Sequence, residues 1–263
     1  MTTSLATGIF AGSTTISQPM KSKYIYLIQP IALAGALLLT AGFVTTGTLF
    51  KKGKWVSLFD GKDLREWHSY NQDKVVGWMI EDGMLTTDGS GGDLTTNKEY
   101  GDFDLRFEFK IPPASNSGVL YKVLERPDIK RTVFSAPEYQ IIDDTGYVIK
   151  AANGEQISLK ETQKTGANYD MHPPLDKTAF KPAGTWNKGR IIVEGTHVRH
   201  FLNDKLVADY QYGDENWKNL LKQSKFAEWP YANPRHKGKI ALQSHNAKEK
   251  IWFRNIRIRE LSL

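Results

Sequence analysis

No cysteine occurs anywhere in the 263 residues. That single absence removes disulfides, thiolate metal sites, cysteine nucleophiles and maturation as a cysteine-linked lipoprotein. Helical periodicity is scarce as well: past residue 50, only a short stretch near residues 217–226 reads as a helix. The Gly-rich loop at residues 88–92 lacks the Lys-Ser or Lys-Thr ending of a phosphate loop, and no acidic run has EF-hand spacing. Net charge is +6, yet acids are interleaved with the bases and no basic stripe forms, which argues against a nucleic-acid partner.

Aromatic bulk and turn residues are plentiful. Seven Trp, eleven Tyr and twelve Phe can fill a core, while 22 Gly and 11 Pro favour strands joined by turns over a helical bundle. At the N-terminus, Lys21 and Lys23 precede an apolar stretch over residues 24–50, interrupted by Gln29 and Pro30 and closed by the basic run 51–54. This reads as an export signal or membrane anchor. The chain accordingly divides into residues 1–53, signal or anchor with its linker, and residues 54–263, one domain. The domain is expected outside the cytoplasm, in the periplasm or cell envelope, and membrane-associated through the N-terminal segment if that segment is not removed.

Within the domain the clearest pattern is a period of two. Phe103, Leu105, Phe107 and Phe109 share one face of a strand, with Asp104, Arg106, Glu108 and Lys110 on the other. The stretch 137–146 behaves alike: Glu138, Gln140 and Ile142 alternate with Tyr139, Ile141 and Asp143. A carboxylate and an amide thus project together, as on a solvated edge strand or in a ligand site. Asn116 and Ser117, in the stretch 112–118 that ends a strand, either cap a turn or stand at a pocket rim, and Lys122 lies in the next strand, which starts at residue 119. Residues 238–245 put Ile240 and Leu242 on one face and Ala241, Gln243 and His245 on the other. The mixed region 147–181, broken by Pro173-Pro174, reads as an excursion from the sheet, with His172 an exposed loop histidine. Many short strands with Gly- and Pro-rich turns predict an all-β sandwich.

Six fragments in order carry a resemblance: residues 55–62 (WVSLFDGK), 116–119 (NSGV), 138–143 (EYQIID), 184–187 (GTWN), and 238–245 (GKIALQSH) with 253–256 (FRNI). Together they are similar to the 3-keto-disaccharide hydrolase domain family, a concanavalin- or laminin-G-like jelly roll, from about residue 54 to the C-terminus. The chain departs at Ser244 and Asn246, where the family usually has Asp and Gly around the histidine. The resemblance implies a disaccharide or other glycoside whose glucosyl C3 is already a ketone. It also implies C2 proton abstraction, loss of the C1 oxygen and hydration of the unsaturated sugar. On that reading Glu138 is the base, His245 the acid or shuttle, with roles exchangeable, and Lys122 the oxyanion partner. Asn116, Gln140 and Gln243 would orient hydroxyl groups. A two-carboxylate mechanism pairing Glu138 with Glu108 or Asp143 stays open, as do a noncatalytic carbohydrate-binding module and an envelope interaction domain. The chemistry requires no cofactor; calcium on loop aspartates is left open.

Overall fold

Phe103, Leu105, Phe107 and Phe109 are all buried on one face of the strand Phe103–Lys110, as its alternation requires. The computed structural model describes residues 51–245 and 250–262. The expected signal or anchor over residues 1–50 therefore lies outside the described residues. Among the described residues, no helix is long and apolar enough to cross a membrane.

Two antiparallel sheets form the expected all-β jelly-roll sandwich. The larger runs Lys205–Gln211, His197–Leu202, Asn187–Glu194, Phe103–Lys110, Trp252–Ser262, Met84–Thr87, Trp78–Glu81, with Lys51–Lys52 and Val56–Phe59 also paired to Trp252–Ser262. The smaller runs Trp67–Ser69, Leu94–Thr96, Lys239–Leu242, Asn116–Val123, Glu138–Ile142. Aromatic side chains interlock between them: Phe107 meets Tyr139 edge-on at 5.4 Å between ring centroids, and Phe103 meets Tyr121 at 6.3 Å. Asp82 and Gly83, both at positive φ, turn the Trp78–Glu81/Met84–Thr87 hairpin. The helix Glu215–Lys222 starts at Asp214, whose carboxylate accepts from Trp217 N at 2.7 Å.

The free edge of Glu138–Ile142 is covered by the excursion. Tyr169 N donates to Glu138 O at 3.0 Å, Gly166 N to Gln140 O at 2.9 Å, and Gln140 N to Ala167 O at 3.1 Å. A bare edge would template pairing with other chains, so this loop both closes the sheet and delivers Tyr169 and Asp170 to its outer face. His172 differs from its expected exposed setting. It stacks on Tyr210 at 4.5 Å and accepts at Nδ1 from Asn168 Nδ2 at 3.1 Å, and burial lowers its pKa to about 4.

Candidate active site

On the outer face of the smaller sheet the register converges on a glycine. Gly118 lies opposite Gln140, and Leu120 opposite Glu138, while Gln243 N donates to Gly118 O at 2.9 Å from the other side. A Cβ on Gly118 would sit 2.0 Å from Glu138 Oε1, so the bare Cα is what lets the carboxyl fold across the strand. Gly118→Ala is expected to displace that carboxyl and to cost ~1–3 kcal/mol by overpacking. A denaturation midpoint and the Glu138 position in the variant's crystal structure check this; an unmoved carboxyl would refute it.

Around that point lies a cavity of about 170 Å³, lined by Glu138, Gln140, Asn116, Gln243 and His245, with Arg131, Val133, Phe134, Tyr169, Lys225 and Trp229 as its walls. Five of the eight residues singled out from sequence are thus brought together. Glu138 is only 4% exposed. Burial pushes its carboxyl up to about 8; Asp93 adds to the rise, while Lys225 and Arg131 oppose it. Gln243 Oε1 is buried without a partner among the described residues, an acceptor left for a ligand hydroxyl. Gln140 Oε1 accepts from Ile141 N at 3.0 Å. The Tyr147 ring stands edge-on to His245 at 6.3 Å.

Sequence reasoning missed the cationic side. Lys225 Nζ donates to Tyr169 Oη at 3.1 Å and pairs with Asp170 at 3.1 Å. Burial would lower its pKa, but Tyr169 and Asp170 outweigh that and raise it, so the ammonium stays charged. Asp93 was missed too. Its Oδ1 accepts from Ser244 N at 2.9 Å and its other oxygen from Thr132 Oγ1, which ties the Gln243–His245 wall to the Arg131–Phe134 wall. None of these lies in an alternating segment. The one available signal was the aromatic cluster Trp229-Pro230-Tyr231 in a loop.

Three expected site residues lie elsewhere. Lys122 is 1% exposed and does not line the cavity; its Nζ donates to His236 O at 2.7 Å, and burial lowers its pKa to about 8. Glu108 projects from the larger sheet's outer face, where Arg254 Nε donates to it at 2.8 Å and Asn255 Nδ2 at 3.1 Å. The whole core separates it from Glu138. Asp143 serves the chain itself, accepting from Ala114 N at 2.8 Å and from Thr145 N at 3.2 Å. Burial would raise its pKa, but those backbone donors outweigh burial and lower it. Neither carboxylate lines the cavity that holds Glu138, so the structure does not bring together the pair that the two-carboxylate alternative needs. Among the described residues, no group of three or more His, Asp or Glu side chains is placed to hold a metal ion.

The sequence profile of the 3-keto-alpha-glucoside-1,2-lyase-like domain matches residues 54–259. A 3-keto-disaccharide hydrolase of Bacteroides thetaiotaomicron is 32% identical over 235 residues, which span 79% of this chain and 78% of that protein. A crystal structure of a candidate glycosyl hydrolase from Parabacteroides distasonis is 33% identical, with a TM-score of 0.74 over 81% of this chain and 100% of the other. A second candidate glycosyl hydrolase structure from that organism is 30% identical, with a TM-score of 0.59 over 80% of this chain and 100% of the other.

Proposed function

The chain belongs to the 3-keto-alpha-glucoside-1,2-lyase-like family, and from that premise we propose that it is a glycoside hydrolase that cleaves 3-keto-glucosides by elimination and hydration. The observation that carries the proposal is the placement of Glu138 in a small cavity whose opposite walls supply a histidine and two cations. About 170 Å³ is below the ~300 Å³ at which drug-sized sites begin, room for one sugar ring and not for a chain.

A ketone at C3 acidifies the C2 hydrogen. Glu138, which burial holds largely neutral, takes the proton in its carboxylate form; the electron pair moves into an enolate on the C3 oxygen. Lys225 and Arg131 supply the positive charge there, the part that Lys122 cannot play from its buried position. Collapse of the enolate expels the C1 oxygen, which His245 protonates. Water then adds to C1 of the resulting enone and a proton returns to C2 from Glu138, so the net reaction is hydrolysis. Gln140, Gln243 and Asn116 hold the ring hydroxyls.

The decisive experiment supplies a 3-keto-glucoside and its unoxidised parent to the same protein and follows the leaving group. Without the ketone there is no enolate, and the parent should react at least ~100-fold more slowly. Equal cleavage of both would reject the elimination route. Saturable binding of both with no cleavage would instead make the domain a carbohydrate-binding module.

A further inference from the structure

The outer face of the larger sheet, across the core from Glu138, carries a second and larger concavity of about 680 Å³. Arg106, Glu108, Lys188, Arg190 and Arg257 line it, with Trp55 as a wall. Three guanidinium groups surround the Trp55 indole, Arg259 at 4.5 Å, Arg257 at 4.9 Å and Arg106 at 5.0 Å from the ring centroid. The same face continues to two more half-buried indoles. Arg254 lies 4.0 Å over Trp186, and Lys110 lies 4.6 Å over Trp252. From Lys110 to Asp104 the central strand advances ~20 Å, so the three tryptophans mark an extended track and not a point.

Charge on this face is not balanced. Both oxygens of Asp104 are engaged by Arg190 and Arg259, and Glu108 is engaged by Arg254. Arg106 reaches Asp104 only at 3.5 Å. Arg257 and Lys188 have no carboxylate within ion-pair distance among the described residues, and both are exposed. Arg257 and Lys188 therefore stand beside the aromatic track without a direct ion pair and Arg106 with a long one, so that cations outnumber the acids Glu108, Asp60 and Asp204 on this face.

We propose that this face is a second carbohydrate-binding surface, distinct from the cleavage cavity, that holds an extended glycan bearing carboxylate groups. Indoles pack on the apolar faces of sugar rings, and guanidinium groups take carboxylates bidentately. Asp60, Glu108 and Asp204 line the same groove and would accept from sugar hydroxyls. Single-stranded nucleic acid also stacks on aromatics and carries regular negative charge; membership of a sugar-directed family is what favours a glycan on this face. The two faces would let one molecule stay on an acidic polymer while its small cavity processes single sugar units. The surface does not depend on the cleavage chemistry, so either reading can fail alone.

The test measures binding of the full-length protein to polygalacturonate, to dextran of matched length and to a single-stranded DNA of matched charge, at fixed ionic strength. Polygalacturonate should bind at least about tenfold more tightly than dextran or DNA. Arg106→Glu with Arg257→Glu should weaken that binding by at least about tenfold, with turnover unchanged. Lys218→Glu with Lys222→Glu, the same charge change on the exposed helix Glu215–Lys222, should leave it within about twofold. If the arginine pair lowers the melting temperature, Lys188→Glu with Trp186→Ala takes its place and should weaken binding comparably. Equal losses in the helix and groove variants would reduce the effect to bulk charge and overturn the proposal. So would DNA binding as tight as polygalacturonate, or no binding to any of the three.

Discussion

Glu138→Gln is expected to lower kcat by about 10³-fold while the dissociation constant for the keto-sugar stays within about threefold, because the amide keeps the shape and loses the proton acceptor. Single-turnover kinetics beside equilibrium binding would separate the two; unchanged turnover removes Glu138 from the role of base. The pH profile gives a second reading. With the carboxyl at about 8, kcat/KM in the wild type should climb by about tenfold per pH unit up to that value. The residual activity of the variant should lack this limb. Stability moves the other way. A carboxyl raised from 4.5 to about 8 leaves the native state holding a proton that the unfolded chain has already released in that window. Native stability therefore falls as pH rises from about 4.5 to about 8. Glu138→Gln removes this penalty and should be more stable than wild type at pH 8 by on the order of 3 kcal/mol, with little difference at pH 4. Thermal melts at both values decide it; equal melts at pH 8 would show that the carboxyl is not desolvated in the way its burial implies.

The side of the site that sequence made legible is the side built by strands. Glu138, Gln140 and Gln243 obey a period of two, and the same alternation that buried Tyr139 and Ile141 left the polar residues on the outer face. Lys122 obeyed that period on paper as well. In the fold, the pairing of Lys239–Leu242 with Asn116–Val123 shifts between Ala241 and Lys239, and Lys122 takes φ +59°. That bulge inserts a residue after Leu120 and turns the lysine toward His236. Gly238 makes the crowding possible, since a Cβ there would fall 2.3 Å from Lys122 C. No hydrophobic pattern announces a one-residue bulge at a non-glycine position. Arg131, Tyr169 and Lys225 arrive on loops, where position comes from hydrogen bonds such as Tyr169 N to Glu138 O and not from any periodicity. Glu108 failed for a different reason: residue type pointed to chemistry, but alternation says which face of its own sheet a residue occupies and not which sheet faces the ligand; Asp143, just past the strand Glu138–Ile142 and out of phase with Glu138, is instead taken up by the backbone of Ala114 and Thr145.

Asp104→Ala is expected to destabilise the fold by ~3–5 kcal/mol while leaving kcat/KM unchanged below the melting range. Asp104 is 1% exposed on the central strand of the larger sheet. Arg190, from the neighbouring strand on one side, donates to it at 2.8 and 2.9 Å; Arg259, from the strand on the other side, donates at 3.2 and 2.6 Å. One carboxylate thus pins three adjacent strands, and its removal leaves two half-buried guanidinium groups facing each other with their counter-charge gone. That is costlier than the loss of the hydrogen bonds alone, since each cation keeps its desolvation cost. Burial would raise the Asp104 carboxyl, but Arg190 and Arg259 outweigh it, helped by the charge of Arg106, and hold it below the usual carboxylate range. A depressed carboxylate contributes stability that is complete above its unfolded value near ~3.9 and is lost as pH falls through its folded value. Wild type should therefore lose this contribution in acid, whereas Asp104→Ala should show a flatter acid limb with the gap between the two closing as pH drops. Urea midpoints from pH 7 down to pH 3 measure that gap. A deficit under ~1 kcal/mol at pH 7 would mean that the arginines, so close to the surface, recover water or Glu108 in place of Asp104.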